Sequence, residues 1–374
     1  MTSRTRWSIT VLTIPERADY LRRLLASLNN TVLPGNLEVV IVYNARARGS
    51  QAEIEKTVQA CAPKLKVSVY FNSQDTSIVG GRNFQLNLCK GDMVCFIDDD
   101  VTVHGAVFPT LEQTFRDLPV GMVGLRSFVN DTEDQFKPRS TTPHVDRGNF
   151  RFMTVQGLLC AGYRELFVDI GGFNPRRRYW GEWTELNLRL WRLGYPTGYA
   201  MTGGFLRHWL DAPASPTRNL AGREGHVLWG LICTAIEYDA VDATAATEAF
   251  WRLVEDRYLS YSFGDSLTPK ELLRTTLELM PRLSAEWSSI AKFKDEVAGH
   301  PFAFKPFQAL TDEEVDAVLD SAAGLIRQHR DPIFAGGQAA TWIRRLFRLV
   351  RPEPRSRRAS PEVVPPAAEK SLRS

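Results

Sequence analysis

The sequence has few cysteines, and nothing in their arrangement indicates pairing. Its five cysteines are odd in number, widely spaced and mostly set in apolar runs: Cys61, Cys89, Cys95, Cys160 and Cys233. This distribution indicates reduced thiols in a cytosolic protein and argues against a disulfide framework. No CxxC motif or Cys/His cluster is present, so a structural zinc site is not expected.

Long apolar runs are also missing. The first twelve residues, "MTSRTRWSITVL", contain no signal-peptide h-region before the first predicted strand. The longest apolar run, "VLWGLICTAI" at 227–236, has half the length needed to span a bilayer. The sequence therefore predicts a cytoplasmic protein.

Charge of either sign is not concentrated in the main body of the chain. The net charge is +3, but residues 341–374 alone carry nine Arg or Lys and three Glu. The rest of the chain is therefore slightly acidic. A nucleic-acid-binding core is not indicated, and no nucleic acid partner is expected.

The first half of the chain alternates between strand-like and helix-like runs. Apolar, β-branched runs predict four strands at 7–14, 37–44, 66–72 and 92–101. Amphipathic runs between and after them predict helices, the clearest at 17–30, 50–62, 80–91, 104–118 and 181–195. This alternation predicts an α/β fold, with a mainly parallel, Rossmann-like sheet that has helices on both faces.

Three regions follow from the composition. Residues 1–215 form the predicted α/β domain, and residues 216–337 read as a mostly helical C-terminal region, with Thr311 and Glu314 as a capping box. Residues 338–374 contain a basic amphipathic helix at 341–352 and a Pro- and Arg-rich tail that is predicted to be disordered. The amphipathic helix suits either an anionic membrane surface or packing on the α/β domain.

Three adjacent aspartates, Asp98, Asp99 and Asp100, end the fourth predicted strand. Neighbouring carboxylates repel one another, and each unit of pKa shift costs about 1.4 kcal/mol. Ligands of open α/β sheets bind beyond the carboxyl ends of the strands, where this cluster lies. Oxygen ligands favour Mg²⁺ or Mn²⁺, so we expect a metal site; a solvated strand end or helix N-cap is the simpler alternative.

Four segments resemble family 2 glycosyltransferases, which have the nucleotide-sugar-binding GT-A fold. The central one, "GGRNFQLNLCKGDMVCFIDDDV", is similar to the family's Arg-Asn helix, Gly-Asp, apolar strand and Asp-x-Asp. The others, in the expected order, are "TVLTIPERADYLRRLLASL", "QGLLCAGYRELFVDIGGFN" and "GEWTELNLRLWRLGY". The resemblance covers about residues 7–210 and implies an inverting, metal-dependent transferase.

The resemblance implies a site for a divalent cation, Mn²⁺ or Mg²⁺. Asp100 would bind the metal directly, and Asp98 would bind it or reach the ribose, with Asp99 between them. His208 falls where many family members place a further metal ligand. Taken alone, His208 reads more readily as a core or surface histidine.

The resemblance also implies residues that bind the nucleotide-sugar. Those that would line the nucleotide or face its diphosphate are Pro15, Glu16, Arg17, Asn44, Arg82, Asn83, Asp98 and Asp99. Asn44 departs from the Asp that the family usually has after the second strand. For Arg82 and Asn83 the alternative is a solvated helix start.

The candidate catalytic base departs from the family's pattern. An inverting transfer needs a carboxylate that takes the proton of the acceptor. The family usually has Asp where this chain has Trp183, which cannot accept a proton. Glu182, at the helix start, is the first candidate, and Glu185, four residues before Arg189, is the second. Gly157 and Trp183 are expected on the acceptor side.

The resulting hypothesis is transfer of a single sugar from a nucleotide-diphosphate sugar, with a UDP-sugar as the expected donor, to a glycan, lipid-linked or other acceptor. Processive membrane synthases carry transmembrane helices and a Gln-x-x-Arg-Trp motif, which are not found here. A non-catalytic nucleotide-sugar or glycan-binding scaffold remains an alternative. A nucleotidyltransferase is a weaker one, because the first strand ends in "TIPER" without a glycine-rich loop.

Overall fold

The computed structural model describes most of the first 209 residues and parts of the remainder. The described residues are 5–44, 51–72, 74, 76–129, 133–134, 144–153, 157–177, 181–209, 229–230, 233, 248, 274, 277–279, 281–282, 284–286 and 311–334. The predicted amphipathic helix at 341–352 and the tail lie outside them.

A nine-stranded sheet forms the centre of the fold, in the order β3-β2-β1-β4-β11-β6-β12-β10-β9. Its strands are β1 (Trp7–Thr13), β2 (Leu37–Tyr43), β3 (Val67–Phe71), β4 (Met93–Asp98), β6 (Met122–Leu125), β9 (Val145–Arg147), β10 (Phe150–Phe152), β11 (Leu159–Tyr163) and β12 (Thr197–Ala200). The intervening β5 (Val101–Gly105) and β7 (Ser127–Val129) join β8 (Glu133–Asp134) and β13 (Gly204–His208) in a second sheet, ordered β5-β13-β7-β8.

Seven α-helices have bounds that the structure describes. They are α1 (Ala18–Asn29), α2 (Gln51–Cys61), α3 (Ser77–Leu88), α4 (Val107–Asp117), α5 (Arg164–Asp169), α6 (Glu182–Arg192) and α7 (Asp312–Phe334). A 3₁₀ turn, Pro15–Arg17, joins β1 to α1. The amphipathic pattern explains why α1 forms: its buried face consists of Leu21, Leu24, Leu25 and Leu28.

The parallel sheet is confirmed for the first four strands and gives way to mixed pairing afterwards. Strands β1, β2, β3 and β4 pair in parallel, and their residues are buried almost throughout β1, β2 and β4. Beyond β4, β11 is antiparallel to both of its neighbours, β4 and β6. β6 pairs in parallel with β12, and β10 runs antiparallel to β12 and β9. Several of the later strands are short, and β10 pairs with a strand that lies much later in the chain.

The second sheet meets the first at the three aspartates. β5 begins immediately after Asp100, and its antiparallel partner β13 ends at His208, which is in register with Val101. The backbone N–H of Trp209 donates to the Asp100 carbonyl at 2.9 Å. These pairings bring the end of β13, about 100 residues later in the chain, to the carboxyl end of β4.

Helix α7 packs on the α/β domain. The predicted capping box is confirmed at its start: the Thr311 N–H donates to Glu314, and the Glu314 N–H donates to the Thr311 hydroxyl. Farther along, His329 is buried against the rings of Tyr163 and Tyr195. Among the described residues, no helix is long and apolar enough to cross a membrane.

Candidate active site

Asp99 is tied into the protein by two neighbours from the first strand and the turn after it. The Thr13 hydroxyl donates to one Asp99 oxygen at 2.6 Å, and the Arg17 guanidinium donates to the other at 2.8 Å. Burial raises the pKa of Asp99, Arg17 lowers it, and the neighbouring Asp100 raises it again. Only 2 % of Asp99 is exposed, so this carboxylate supports the cluster and does not face a ligand.

Asp98 forms an ion pair with Arg82, which is almost fully buried on α3. Burial raises the pKa of Asp98 to about 7; Arg82 opposes that rise, and the other two aspartates add to it. The Asp98 side chain remains about one-third exposed. Arg82 therefore compensates a carboxylate that still faces the mouth of the site.

Only one of the two carboxylate oxygens of Asp100 accepts a hydrogen bond. Arg17 donates to Oδ2 at 3.1 Å, whereas Oδ1 is buried, has no hydrogen-bond partner and lies 3.8 Å from His208 Nε2. Burial by itself would raise the pKa of Asp100, but His208 and Arg17 lower it below its ordinary value. A buried, ionised oxygen without a donor fits a cation ligand.

The three expected metal ligands do not form a converged set. Among the residues that the structure describes, no three His, Cys, Asp or Glu side chains stand together as a ready-made metal cluster. The physical reason is that Arg82 and Arg17 occupy oxygens of Asp98 and Asp100. The three carboxyl groups outnumber the two guanidinium groups, so the donor set suits a cation.

Asn44 is engaged by the protein. Its Oδ1 accepts hydrogen bonds from Asn72 Nδ2 at 2.9 Å and from the Thr76 hydroxyl at 2.7 Å, and its Nδ2 donates to the Ser77 carbonyl at 2.8 Å. Ser77, the first residue of α3, has φ 69°, which is costly for a residue with a side chain. Asn44 therefore holds the strained turn that begins α3.

Asn83 is likewise bound within the protein. Its Nδ2 donates to the Phe173 carbonyl at 2.9 Å, and its Oδ1 accepts from the Phe173 N–H at 2.8 Å. These two bonds tie α3 to the segment after α5. They account for Asn83 without a nucleotide, unlike the role in diphosphate binding that the sequence predicts.

The two glutamates of α6 have different surroundings. Glu185 is fully buried and forms an ion pair with Arg189 at 2.9 Å; Arg189 also donates to the carbonyls of Ile170 and Gly172. Glu182 is the first residue of α6, where the helix dipole favours an anion. Burial raises the pKa of Cys160, and the charges of Asp98 and Glu182 contribute to that rise.

Trp183 packs inside the protein. Its ring contacts Phe173 and Phe96 edge-on, with centroids 4.9 Å and 5.8 Å away, and the Arg82 guanidinium lies 5.7 Å from the ring centroids of both Trp183 and Phe96. A Cβ at Gly157 would overlap the Trp183 indole. Trp183 is 8 % exposed, and its indole covers the arginine that pairs with Asp98.

The remaining predicted residues lie at the same end of the sheet. Pro15, Glu16 and Arg17 form the 3₁₀ turn after β1, beside the aspartates. Sequence reasoning missed Thr13 and the pairing of Arg17 with two of the aspartates. The clash of three like charges was the signal that could have found them, because parallel strands place the ends of β1 and β4 side by side.

Comparison with known proteins gives a family match over part of the chain. Residues 8–181, nearly half of the chain, match the model of the glycosyl transferase family 2. No curated protein matches the sequence. The predicted resemblance is therefore confirmed over the segment that contains β1, the three aspartates and Gly157.

Solved structures give a further comparison of the fold. GalNAc-T7, solved with UDP, GalNAc and Mn²⁺, has a TM-score of 0.50 at 13% identity, over 76% of this chain and 58% of that chain. TarS 1–349 of S. aureus with UDP has 0.47 at 14%, over 88% and 90%. The mannosyltransferase PcManGT of Pyrobaculum calidifontis, with GDP-Man and Mn²⁺, has 0.46 at 16%, over 86% and 87%. The chain thus spans less than two thirds of the GalNAc-T7 chain.

Residues 8–181 thus match glycosyl transferase family 2, and the α/β domain has the GT-A fold.

Proposed function

We propose that the protein transfers one sugar from a nucleoside-diphosphate sugar, by an inverting reaction that depends on Mn²⁺ or Mg²⁺, to a glycan or lipid-linked acceptor. The observation that carries the proposal is Asp100 Oδ1, a buried carboxylate oxygen without a donor beside His208 at the mouth of the sheet. A UDP-sugar is the proposed donor. The proposed metal ligands are Asp98, Asp100 and His208.

The residues of the chain prepare this site in two ways. Arg17 and Thr13 fix Asp99, so the backbone of the cluster is set before a ligand arrives. Arg82 compensates Asp98 until a cation competes for it. A bound divalent cation would offset the negative charge that develops on the departing diphosphate.

Glu182 is the proposed general base. The acceptor hydroxyl oxygen forms a bond to the anomeric carbon while the bond from that carbon to the diphosphate oxygen breaks. The hydroxyl proton passes to the Glu182 carboxylate, and the nucleoside diphosphate leaves with the bonding electron pair. Glu185 is already used by Arg189 inside the helix, which supports Glu182 over Glu185.

A non-catalytic scaffold is the second candidate, because Trp183 stands where the family usually has its base. Both candidates bind a nucleotide-sugar, but only the enzyme also breaks the bond between the sugar and the diphosphate. Slow metal-dependent hydrolysis of the donor without an acceptor would support the enzyme. Binding without any hydrolysis would support the scaffold.

A donor screen tests the proposal. The melting temperature is measured with a panel of UDP-, GDP-, TDP- and CMP-sugars, each with Mn²⁺, with Mg²⁺ and with EDTA. We expect at least one nucleoside-diphosphate sugar to raise the melting temperature with a metal and not with EDTA, because a ligand that binds only the folded state stabilises it. A panel without any metal-dependent rise would contradict the proposal.

A further inference from the structure

Two residues of the C-terminal part, Trp229 and Gly230, contact the segment 176–181 that leads into α6. Both are helical and buried, as is Cys233, which lies four residues after Trp229 and therefore on the same side of a helix. Trp229 is only 2 % exposed. We call this the Trp229–Gly230 contact, and it joins residues distant in the chain to the start of the helix that carries Glu182.

The indole of Trp229 binds the first end of this segment. Its Nε1 donates to the Arg176 carbonyl at 3.1 Å. That carbonyl belongs to a tight turn, in which the Arg176 N–H donates to Asn174 Oδ1 at 3.0 Å and the Arg177 N–H donates to the Asn174 carbonyl at 3.0 Å. Asn174 and Arg177 are both buried. Because the turn has its own hydrogen bonds, the bond from Trp229 joins the indole to a well-fixed part of the α/β domain.

Gly230 lies against the second end of the segment, where α6 begins. Gly181 is the N-cap residue of α6 and has φ 78°, a conformation that favours glycine. A Cβ built on Gly181 would lie 3.6 Å from Gly230 Cα. The Gly181 carbonyl accepts the first hydrogen bond of the helix, from the Glu185 N–H at 2.9 Å. The position of Gly181 therefore sets where the first turn of α6 starts.

Glu182, the proposed general base, directly follows Gly181 and is 8 % exposed. A base takes a proton only when its carboxylate lies within hydrogen-bond reach of the acceptor hydroxyl. A displacement of about 1 Å can lower the rate about 100-fold, even when its cause lies far from the reacting atoms. Movement of Gly181 moves the backbone of Glu182 with it. The Trp229–Gly230 contact therefore lies where it can fix the position of the base.

An arginine from later in the chain packs on the Trp229 ring. The Arg282 guanidinium lies 3.9 Å from the ring centroid, a distance at which a cation is attracted to an aromatic face. Arg282 Nε also donates to Glu286 Oε1 at 2.9 Å, and both side chains are about one-third exposed. The indole is thus held by the Arg176 carbonyl at its N–H and by Arg282 at its ring.

We propose that Trp229 is a positioning residue for the catalytic base. Through its bond to the Arg176 carbonyl and through the packing of Gly230 on Gly181, the C-terminal part holds the first turn of α6, and with it Glu182, in the place where the acceptor proton is taken. The inference rests on the proposed function and deepens it, because it gives the C-terminal part a role in the transfer step. The role requires no contact between Trp229 and a substrate, so it acts on turnover and not on donor binding.

Two matched substitutions in the full chain test the inference. Trp229→Phe keeps an aromatic ring for Arg282 and removes the N–H that binds the Arg176 carbonyl. Trp7→Phe removes an equally buried indole N–H, which donates to Glu112 Oε1 at 3.0 Å. Trp7 begins β1 and lies at the opposite end of that strand from the aspartates. We expect comparable losses of stability in urea unfolding, so the two variants differ in whether they disturb α6.

Three quantities are measured for each protein: the affinity for UDP with Mn²⁺, the kcat and KM of Mn²⁺-dependent hydrolysis, and the hydrogen exchange of peptides that cover α6. Hydrolysis uses UDP-glucose, UDP-galactose, UDP-N-acetylglucosamine and GDP-mannose, with water as the acceptor. We expect Trp229→Phe to lower kcat about tenfold or more at unchanged KM and UDP affinity, and to speed exchange at the start of α6. Trp7→Phe should match the parent in all three quantities. In the Glu182→Gln background, Trp229→Phe should lower kcat no further, because two residues that act through one group are not additive.

Three results would overturn the positioning role and leave the proposed function standing. They are an unchanged kcat in Trp229→Phe, an equal fall of kcat in Trp7→Phe, and the same fold-loss in the Glu182→Gln background as in the parent. If Trp229→Phe does not fold, Arg282→Gln replaces it, since that side chain is one-third exposed, and should lower kcat in the same direction by a smaller factor. A parent that hydrolyses none of the four nucleotide-sugars refutes the proposed function, and the positioning role with it.

Discussion

At the scale of single residues, each of the three adjacent aspartates has a different environment. Asp99 is buried and bonded to Thr13 and Arg17, Asp98 faces Arg82, and Asp100 keeps one oxygen without a donor. Arg17 and Arg82 therefore offset much of the carboxylate charge that the sequence analysis expected a metal ion alone to offset. Because of these different environments, Asp98 and Asp100 are better candidates than Asp99 for contact with a ligand.

The sequence allowed part of this site to be predicted. A run of three carboxylates after an apolar strand is visible in the sequence, because charge and hydrophobicity are local properties. The partners of Asn44 and Asn83 are not visible, since an amide side chain looks the same whether it binds a nucleotide or a backbone. Only the arrival of Phe173 beside α3 decides that Asn83 forms two backbone hydrogen bonds.

Single substitutions of the two glutamates of α6 distinguish a catalytic role from a structural one. Glu182→Gln should lower the rate of sugar transfer by roughly 100-fold or more at unchanged stability, because the amide cannot take the proton. Glu185→Gln should lower the free energy of unfolding by about 3 kcal/mol, because it leaves the buried Arg189 charge without its carboxylate. Denaturant unfolding and steady-state kinetics measure the two quantities. Retained turnover in Glu182→Gln, with loss in Glu185→Gln at unchanged stability, would reverse the assignment.

At the scale of elements, the sequence reveals the alternation of strands and helices better than it reveals how the later strands pair. Strands β1, β2, β3 and β4 alternate with helices, and this regular alternation correctly predicts parallel pairing. β10 and β12 have only three and four residues. Their pairing joins segments about 50 residues apart, and no local pattern specifies it. The pairing in this mixed part of the sheet is therefore known only from the structure.

The contact between α3 and the segment after α5 should be structural. Asn83→Ala removes both hydrogen bonds to Phe173 and leaves two backbone groups to find water, so we expect a loss of about 2 kcal/mol in unfolding free energy. The affinity of the folded variant for UDP with Mn²⁺ should match the parent's. Calorimetry below the melting temperature checks this, and an affinity loss at unchanged stability would instead place Asn83 at the nucleotide.

The close contact between Gly157 and Trp183 of α6 should fix the position of the indole that covers Arg82. Gly157→Ala places a methyl group where the indole lies, so Trp183 must move and uncover Arg82. Overpacking of this kind costs about 1–3 kcal/mol. Gly35→Ala is the matched control, since nothing lies within 4 Å of its added methyl group. Equal stability of the two variants, measured by urea unfolding, would show that Trp183 is not fixed by this contact.

At the scale of the whole molecule, some residues that follow the α/β domain in the chain pack against it. Trp229 packs beside the domain: its Nε1 donates to the Arg176 carbonyl at 3.1 Å, and the Arg282 guanidinium lies 3.9 Å from its ring. Gly230 lies 3.6 Å from the position of a Cβ at Gly181, the residue before α6. The C-terminal part thus reaches the start of the helix that carries Glu182. The proposed division at residues 215 and 337 remains a prediction.

The basic segment 341–352 is predicted to bind an anionic membrane surface, which would place the enzyme peripherally at the inner face of the membrane, beside a lipid-linked acceptor. Replacing Arg344, Arg345, Arg348 and Arg351 by Gln in the full chain should abolish flotation with anionic liposomes, because each basic residue near such a surface contributes about 1 kcal/mol. A chain that ends at Gly337 should behave alike. Equal flotation of all three proteins would exclude this segment as the anchor.

The most direct test of the account is the metal dependence of nucleotide binding at Asp100. Isothermal titration of UDP is carried out with Mn²⁺ and with EDTA on the parent, on Asp100→Asn and on Asp320→Asn, whose exposed aspartate on α7 serves as the control. We expect metal-dependent binding in the parent and the control, and a loss of about tenfold or more in Asp100→Asn, because the amide is a weaker ligand for a hard cation. Binding by Asp100→Asn with the affinity and metal response of the parent would contradict it.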